Sequence, residues 1–89
     1  MIKETARIQN KLGLHARAAS SFVTIAQGFS STITVLKGVT SANGKSIMNM
    51  MLLQAGIDSE IEINVEGEDE TEAMSALLAL VNSKFGEPE

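Results

Sequence analysis

His15 is the only histidine in a chain of 89 residues, and it stands in the run Gly13-Leu14-His15-Ala16-Arg17. Imidazole titrates near neutral pH, so its nitrogens can act as nucleophile, base or charged donor. A helical pattern begins directly after it, with Ala19, Phe22, Val23 and Ala26 on one face. The first backbone N–H groups of such a helix, on Ala16, Arg17 and Ala18, have no intrahelical partners. Together with the helix dipole they favour an anion beside the ring. Arg17 adds a fixed charge able to bridge phosphate oxygens. These parts make a nucleophile and an anion site, with no general base and no metal ligands. That combination suits a carrier of a phosphoryl group better than a complete enzyme. A competing reading of the same residues is a capping or solvent-facing histidine without chemistry.

Six further elements frame this site. Ile2 to Ile8 alternates, with Ile2, Ala6 and Ile8 on one side and Lys3, Thr5 and Arg7 on the other, which predicts a half-buried strand. Asn10 to Gly13 reads as a loop, and Gly28 as a helix stop. Ser31 to Lys37 is β-branched, with Ile33 and Val35 inward, and Gly38 turns the chain into a short strand over Val39 to Ala42. Ser46 can N-cap a helix over Ile47 to Leu53. Glu60 to Glu66 has the cleanest alternation, with Ile61, Ile63 and Val65 on one face. Asp69 and Glu72 have the spacing of a capping box for a last helix. Ala73, Met74, Leu77, Leu78 and Val81 form that helix's buried stripe, and Gly86 and Pro88 end it. The order βαββαβα, with polar outer faces on the strands, predicts an α+β domain over residues 1–89 whose sheet is covered on one side. Strand order is not readable from periodicity.

Composition narrows the function. There is no cysteine, so neither disulfides nor a thiolate metal site exist, which fits a reducing cytoplasm. A net charge of −4 and three aromatic residues, all Phe, argue against nucleic-acid binding. No signal-like h-region opens the chain, and no run nears the about 18 apolar residues of a membrane span.

Two spaced motifs carry a family resemblance. Gly13-Leu14-His15-Ala16-Arg17-Ala18-Ala19-Ser20 resembles the active-site motif of HPr, the histidine phosphocarrier of the phosphoenolpyruvate-dependent phosphotransferase system. Gly44-Lys45-Ser46-Ile47-Met48 resembles the family's regulatory serine motif, and the acidic run from Glu66 is a third likeness. The resemblance implies an open-faced β-sandwich: four antiparallel strands with three helices on one face. It implies a cytoplasmic, monomeric carrier without cofactor. Its His15 would take a phosphoryl group at Nδ1 from enzyme I and pass it to an enzyme IIA-type acceptor, with Arg17 steadying the phosphate. The residue after the arginine is commonly proline in the family and is Ala18 here, which keeps an N–H and loses a fixed φ. Asn10 to Gly13 and the segment Val81 to Phe85 look like the nitrogen-regulatory branch, so sugar uptake and a regulatory circuit both stand as expectations.

Ser46 has two roles open to it. One is the N-cap; the other, implied by the family, is phosphorylation by an HPr kinase/phosphorylase, which would place charge at a partner-binding surface. Residues Ile47 to Leu53 are too apolar for one buried face. Either the helix is covered all round, or Ile47, Met48 and Met51 form an exposed docking patch, which the resemblance favours. A non-catalytic binding module, for which His15 is dispensable, is the reading from a different class.

Overall fold

The chain runs β1 (Ile2–Arg7), α1 (Ala16–Gln27), β2 (Thr32–Lys37), β3 (Thr40–Asn43), α2 (Ile47–Leu52), β4 (Glu60–Glu66) and α3 (Glu70–Asn82), closing with a 3-10 turn over Lys84–Gly86. This computed structural model describes all residues 1–89. The strands make one antiparallel sheet in the order β1-β4-β2-β3. β4, with the strictest alternation, is therefore central. Its register sets Ile61 beside Ala6, Ile63 beside Val35 and Val65 beside Ile33, forming one apolar row across the sheet. A slip of one residue would send this whole row to the opposite face, so burial fixes the register. On that opposite face Glu62 lies between Thr5 and Leu36, and Asn64 between Lys3 and Thr34. That polar side stays open, as the sequence pattern required.

The three helices cover the apolar side. Phe22 of α1, Met50 of α2 and Leu77 of α3 are fully buried, together with Ile33, Val35, Ile61 and Ile63 of the sheet. Each such side chain contributes about 1.5–3 kcal/mol through removal from water. α1 packs against both other helices, and α3 lies over β1 and β4. The small residues Ala18, Ala19 and Ala26 face the core from α1, allowing close approach while Phe22 and Val23 fill the space.

Two expectations need correction. The Asp69–Glu72 capping box does not form: Asp69 stands at the N-cap of α3 but its side chain makes no capping bond. Its carboxylate accepts instead from Ser30 N–H at 2.8 Å, Ser31 N–H at 3.0 Å and the Ser31 hydroxyl. This ties the start of β2 to the start of α3, and those bonds to serine hold the Asp69 carboxyl below its ordinary value. Glu70, rather than Glu72, reaches back, accepting from Gly67 N–H at 3.1 Å. The C-terminus also differs, because Gly86 and Pro88 do not end the last helix. α3 ends at Asn82, and the 3-10 turn then buries Phe85 and turns the tail back over the front of α1.

Candidate functional site

His15 is the N-cap of α1, in extended backbone at φ −72° and ψ 178°. Its ring does what an Asn or Asp side chain does at this position: Nδ1 accepts from the N–H of Arg17 at 3.3 Å. Two features set the loop that delivers it. Gly13 has φ +67°, in the left-handed region, and a Cβ there would meet the Ala55 carbonyl oxygen at 2.6 Å. Leu14 is buried and donates its N–H to that same oxygen at 2.8 Å. The loop before α1 is thus seated on the segment after α2, and His15 emerges between them.

The other ring nitrogen, Nε2, contacts the carboxylate of Glu87, 72 positions along the chain. The second Glu87 oxygen accepts from Asn10 Nδ2 at 3.0 Å. Asn10 is fully buried and spends its other amide hydrogen on the Gly13 carbonyl at 2.7 Å. The Asn10 amide first, then the His15 ring, hold the Glu87 carboxyl below the ordinary glutamate value, outweighing partial burial; the charge of Arg17 adds to this. A main-chain bond from Lys11 N–H to the Glu89 carbonyl, 3.0 Å, pins the end of the tail. Between these groups lies a cavity of ≈ 420 Å³ lined by Lys11, Leu12, His15, Arg17 and the tail residues 87–89. Its lining sets the cations Lys11 and Arg17 against the carboxylates of Glu87 and Glu89, with the His15 ring between them.

Of the three amide donors expected around a phosphate, Ala16 and Arg17 are exposed residues. Ala18 is fully buried and packs its methyl group into the core; its N–H is the third at the helix start and has no intrahelical partner. Ser46 is the N-cap of α2, and its hydroxyl accepts from Asn49 N–H at 3.3 Å. On α2 only Met50 is buried. Ile47 is 41% exposed, Met48 77% and Met51 42%, so an uncovered patch replaces the alternative of a helix covered all round. Leu52 of the same helix and Leu12 of the His15 loop are each 70% exposed as well. No helix is long and apolar enough to cross a membrane.

Periodicity missed Glu87 and Asn10. Glu87 follows the last helix and meets His15 only through the turn built on Phe85. Asn10 reads as an ordinary loop residue, and nothing local marks it as buried.

Comparison with known proteins agrees with this geometry. Residues 2–83 match the family model described as the PTS HPr component phosphorylation site. The phosphocarrier protein HPr of Neisseria meningitidis serogroup A is 48% identical over 89 residues, covering 100% of both chains. The crystal structure of HPr-C-His from Thermoanaerobacter tengcongensis superposes with a TM-score of 0.96 at 46% identity, again over 100% of both chains. An HPr dimer from the same organism matches at a TM-score of 0.78 and 47% identity, over 98% of this chain and 100% of that one.

Proposed function

Because this chain belongs to the HPr family of phosphotransferase-system phosphocarriers, we propose that His15 accepts a phosphoryl group from phospho-enzyme I and hands it to an enzyme IIA-type acceptor. The observation that carries this reading is the ring's placement: Nδ1 faces the start of α1 and lies two residues from Arg17. An N–H donor to Nδ1 requires a lone pair there, which is the nucleophilic form of that nitrogen.

In the transfer, Nδ1 swings off the Arg17 N–H and attacks phosphorus in line with the leaving nitrogen of the donor. The N–H groups of Ala16, Arg17 and Ala18 at the helix start and the Arg17 guanidinium then face the equatorial oxygens. Positioning and charge stabilisation supply most of the rate in such a reaction. The reverse geometry serves the onward step. Ile47, Met48 and Met51 dock both partners in turn, since methionine side chains adapt to different surfaces.

Ser46 serves as a control point in the same reading. An HPr kinase/phosphorylase-type enzyme would draw its hydroxyl from the α2 cap and place a dianion beside Met48, opposing apolar docking. One copy of the chain holds every residue of this site, which suits a carrier that works as a monomer. The test is incubation with phosphoenolpyruvate and cognate enzyme I, followed by intact-mass measurement. One acid-labile phosphoryl group is expected, absent in His15→Ala; an unmodified wild-type protein refutes the carrier function.

A further inference from the structure

We propose that Glu87 is a positioning residue for phosphoryl transfer: it locks His15 in the Nε2–H tautomer and retains that proton while Nδ1 reacts. The proposal rests on His15 being the phosphoryl acceptor. Its basis is the polarity of the two ring contacts. Nδ1 meets a donor, the Arg17 N–H at 3.3 Å, whereas Nε2 meets an acceptor, the Glu87 carboxylate. Only a neutral ring protonated on Nε2 satisfies both. The opposite tautomer would set N–H against N–H at one nitrogen and a lone pair against a carboxylate at the other.

The carboxylate is itself held by the loop that carries His15. Asn10 aims one amide hydrogen at Gly13 and the other at Glu87. Its orientation is fixed by chemistry, because a flipped amide would aim its oxygen at two acceptors. The Asn10 Oδ1 is left buried and unpartnered, a cost borne while both N–H groups stay on their targets. The tail is fastened on both sides of Glu87, by buried Phe85 before it and by the Lys11–Glu89 main-chain bond after it. The Glu87 side chain is only 13% exposed, so water competes weakly for it.

During transfer an Nδ1–P bond forms and the donor's P–N bond breaks, its electron pair returning to the donor nitrogen. The ring, which began neutral with a proton on Nε2, becomes a positively charged N-phosphoryl imidazolium. No proton enters or leaves. Glu87 faces the nitrogen that shares this charge, as the orienting acid does behind a nucleophile–histidine pair. In the onward step the phosphoryl group leaves and the same Nε2–H tautomer is restored, ready for another cycle.

Glu87→Gln tests the proposal. With its amide oxygen kept on Asn10, the glutamine turns an NH2 toward Nε2 and inverts the polarity there. In the isolated wild-type protein, ¹⁵N NMR of the His15 ring should report the Nε2–H tautomer alone; in Glu87→Gln that preference should be lost. Phosphorylation by phospho-enzyme I should fall about tenfold in kcat with KM within twofold, and Glu87→Asp should recover part of the loss. A Glu87→Gln protein with the wild-type tautomer and kcat within twofold of wild type overturns the role. Failure of the wild-type protein to accept a phosphoryl group would instead strike the carrier function. The tautomer, measured without any enzyme, judges Glu87 separately.

Discussion

Gly13→Ala tests how the His15 loop is seated. Gly13 has φ +67°, and the new methyl group would lie 2.6 Å from the Ala55 carbonyl oxygen and 2.8 Å from the Gly56 Cα, both backbone atoms. The left-handed conformation alone costs a non-glycine residue about 1–2 kcal/mol. Reduced freedom of the unfolded chain returns about 0.4–1 kcal/mol of that. The clash can be relieved only by separating the loop from the Ala55–Gly56 segment, which loosens the Leu14–Ala55 hydrogen bond, worth about 1 kcal/mol net. The added overlap brings the total to roughly 2–3 kcal/mol. For a domain of this size that is a fall of roughly 10–20 °C in Tm. Gly38→Ala is the internal control: it has φ +60° and nothing within 4 Å of the added Cβ. Only the conformational cost remains there, a net loss of about 1 kcal/mol or less. Thermal unfolding of both variants by circular dichroism makes the comparison. Because the loop carries His15, Gly13→Ala should also accept phosphate more slowly at temperatures where it is fully folded, and Gly38→Ala should not. Equal Tm values for the two variants would refute the seating of the loop against Ala55.

Three further outcomes are expected. Asp69 has its carboxyl held below the ordinary value mainly by the Ser31 hydroxyl and the Ser30 N–H. Its stabilising effect is therefore full above about pH 5 and is lost as pH falls through the lowered value; Asp69→Asn should be less stable than wild type in urea at pH 7, with the gap closing toward pH 2, and a gap constant with pH would contradict this. Ser46→Ala removes the hydroxyl that accepts from Asn49 N–H, so urea unfolding should show a loss of about 1 kcal/mol; an unchanged midpoint would mean the cap contributes nothing. Met48 is 77% exposed, so Met48→Glu should leave stability within about 0.5 kcal/mol while raising KM for transfer from enzyme I; an unchanged KM would remove this helix from the docking surface.

What was legible in the chain follows the range of the interactions. β4 is read to its end residues because strict alternation is a local signal, and His15 and Ser46 both stand at the N-caps their neighbours foretell. The placement of β4 between β1 and β2 was not legible. It depends on matching apolar rows from strands far apart in sequence, and no single segment encodes that. Asp69 shows a different failure: the capping-box spacing was present, but two free N–H groups at the entry to β2 offered its carboxylate better partners. The motif around His15 named the nucleophile and the arginine. It could not name Glu87, which reaches the ring only after Phe85 anchors a turn with left-handed backbone at Lys84 and Phe85.

The most direct measurement of the central claim is NMR of the phosphorylated protein labelled with ¹⁵N in histidine. A phosphoryl carrier working through the free face of His15 should show a one-bond ³¹P–¹⁵N coupling at Nδ1, with Nε2 still protonated against Glu87. A coupling at Nε2, or a phosphoryl group on any residue other than His15, would contradict it.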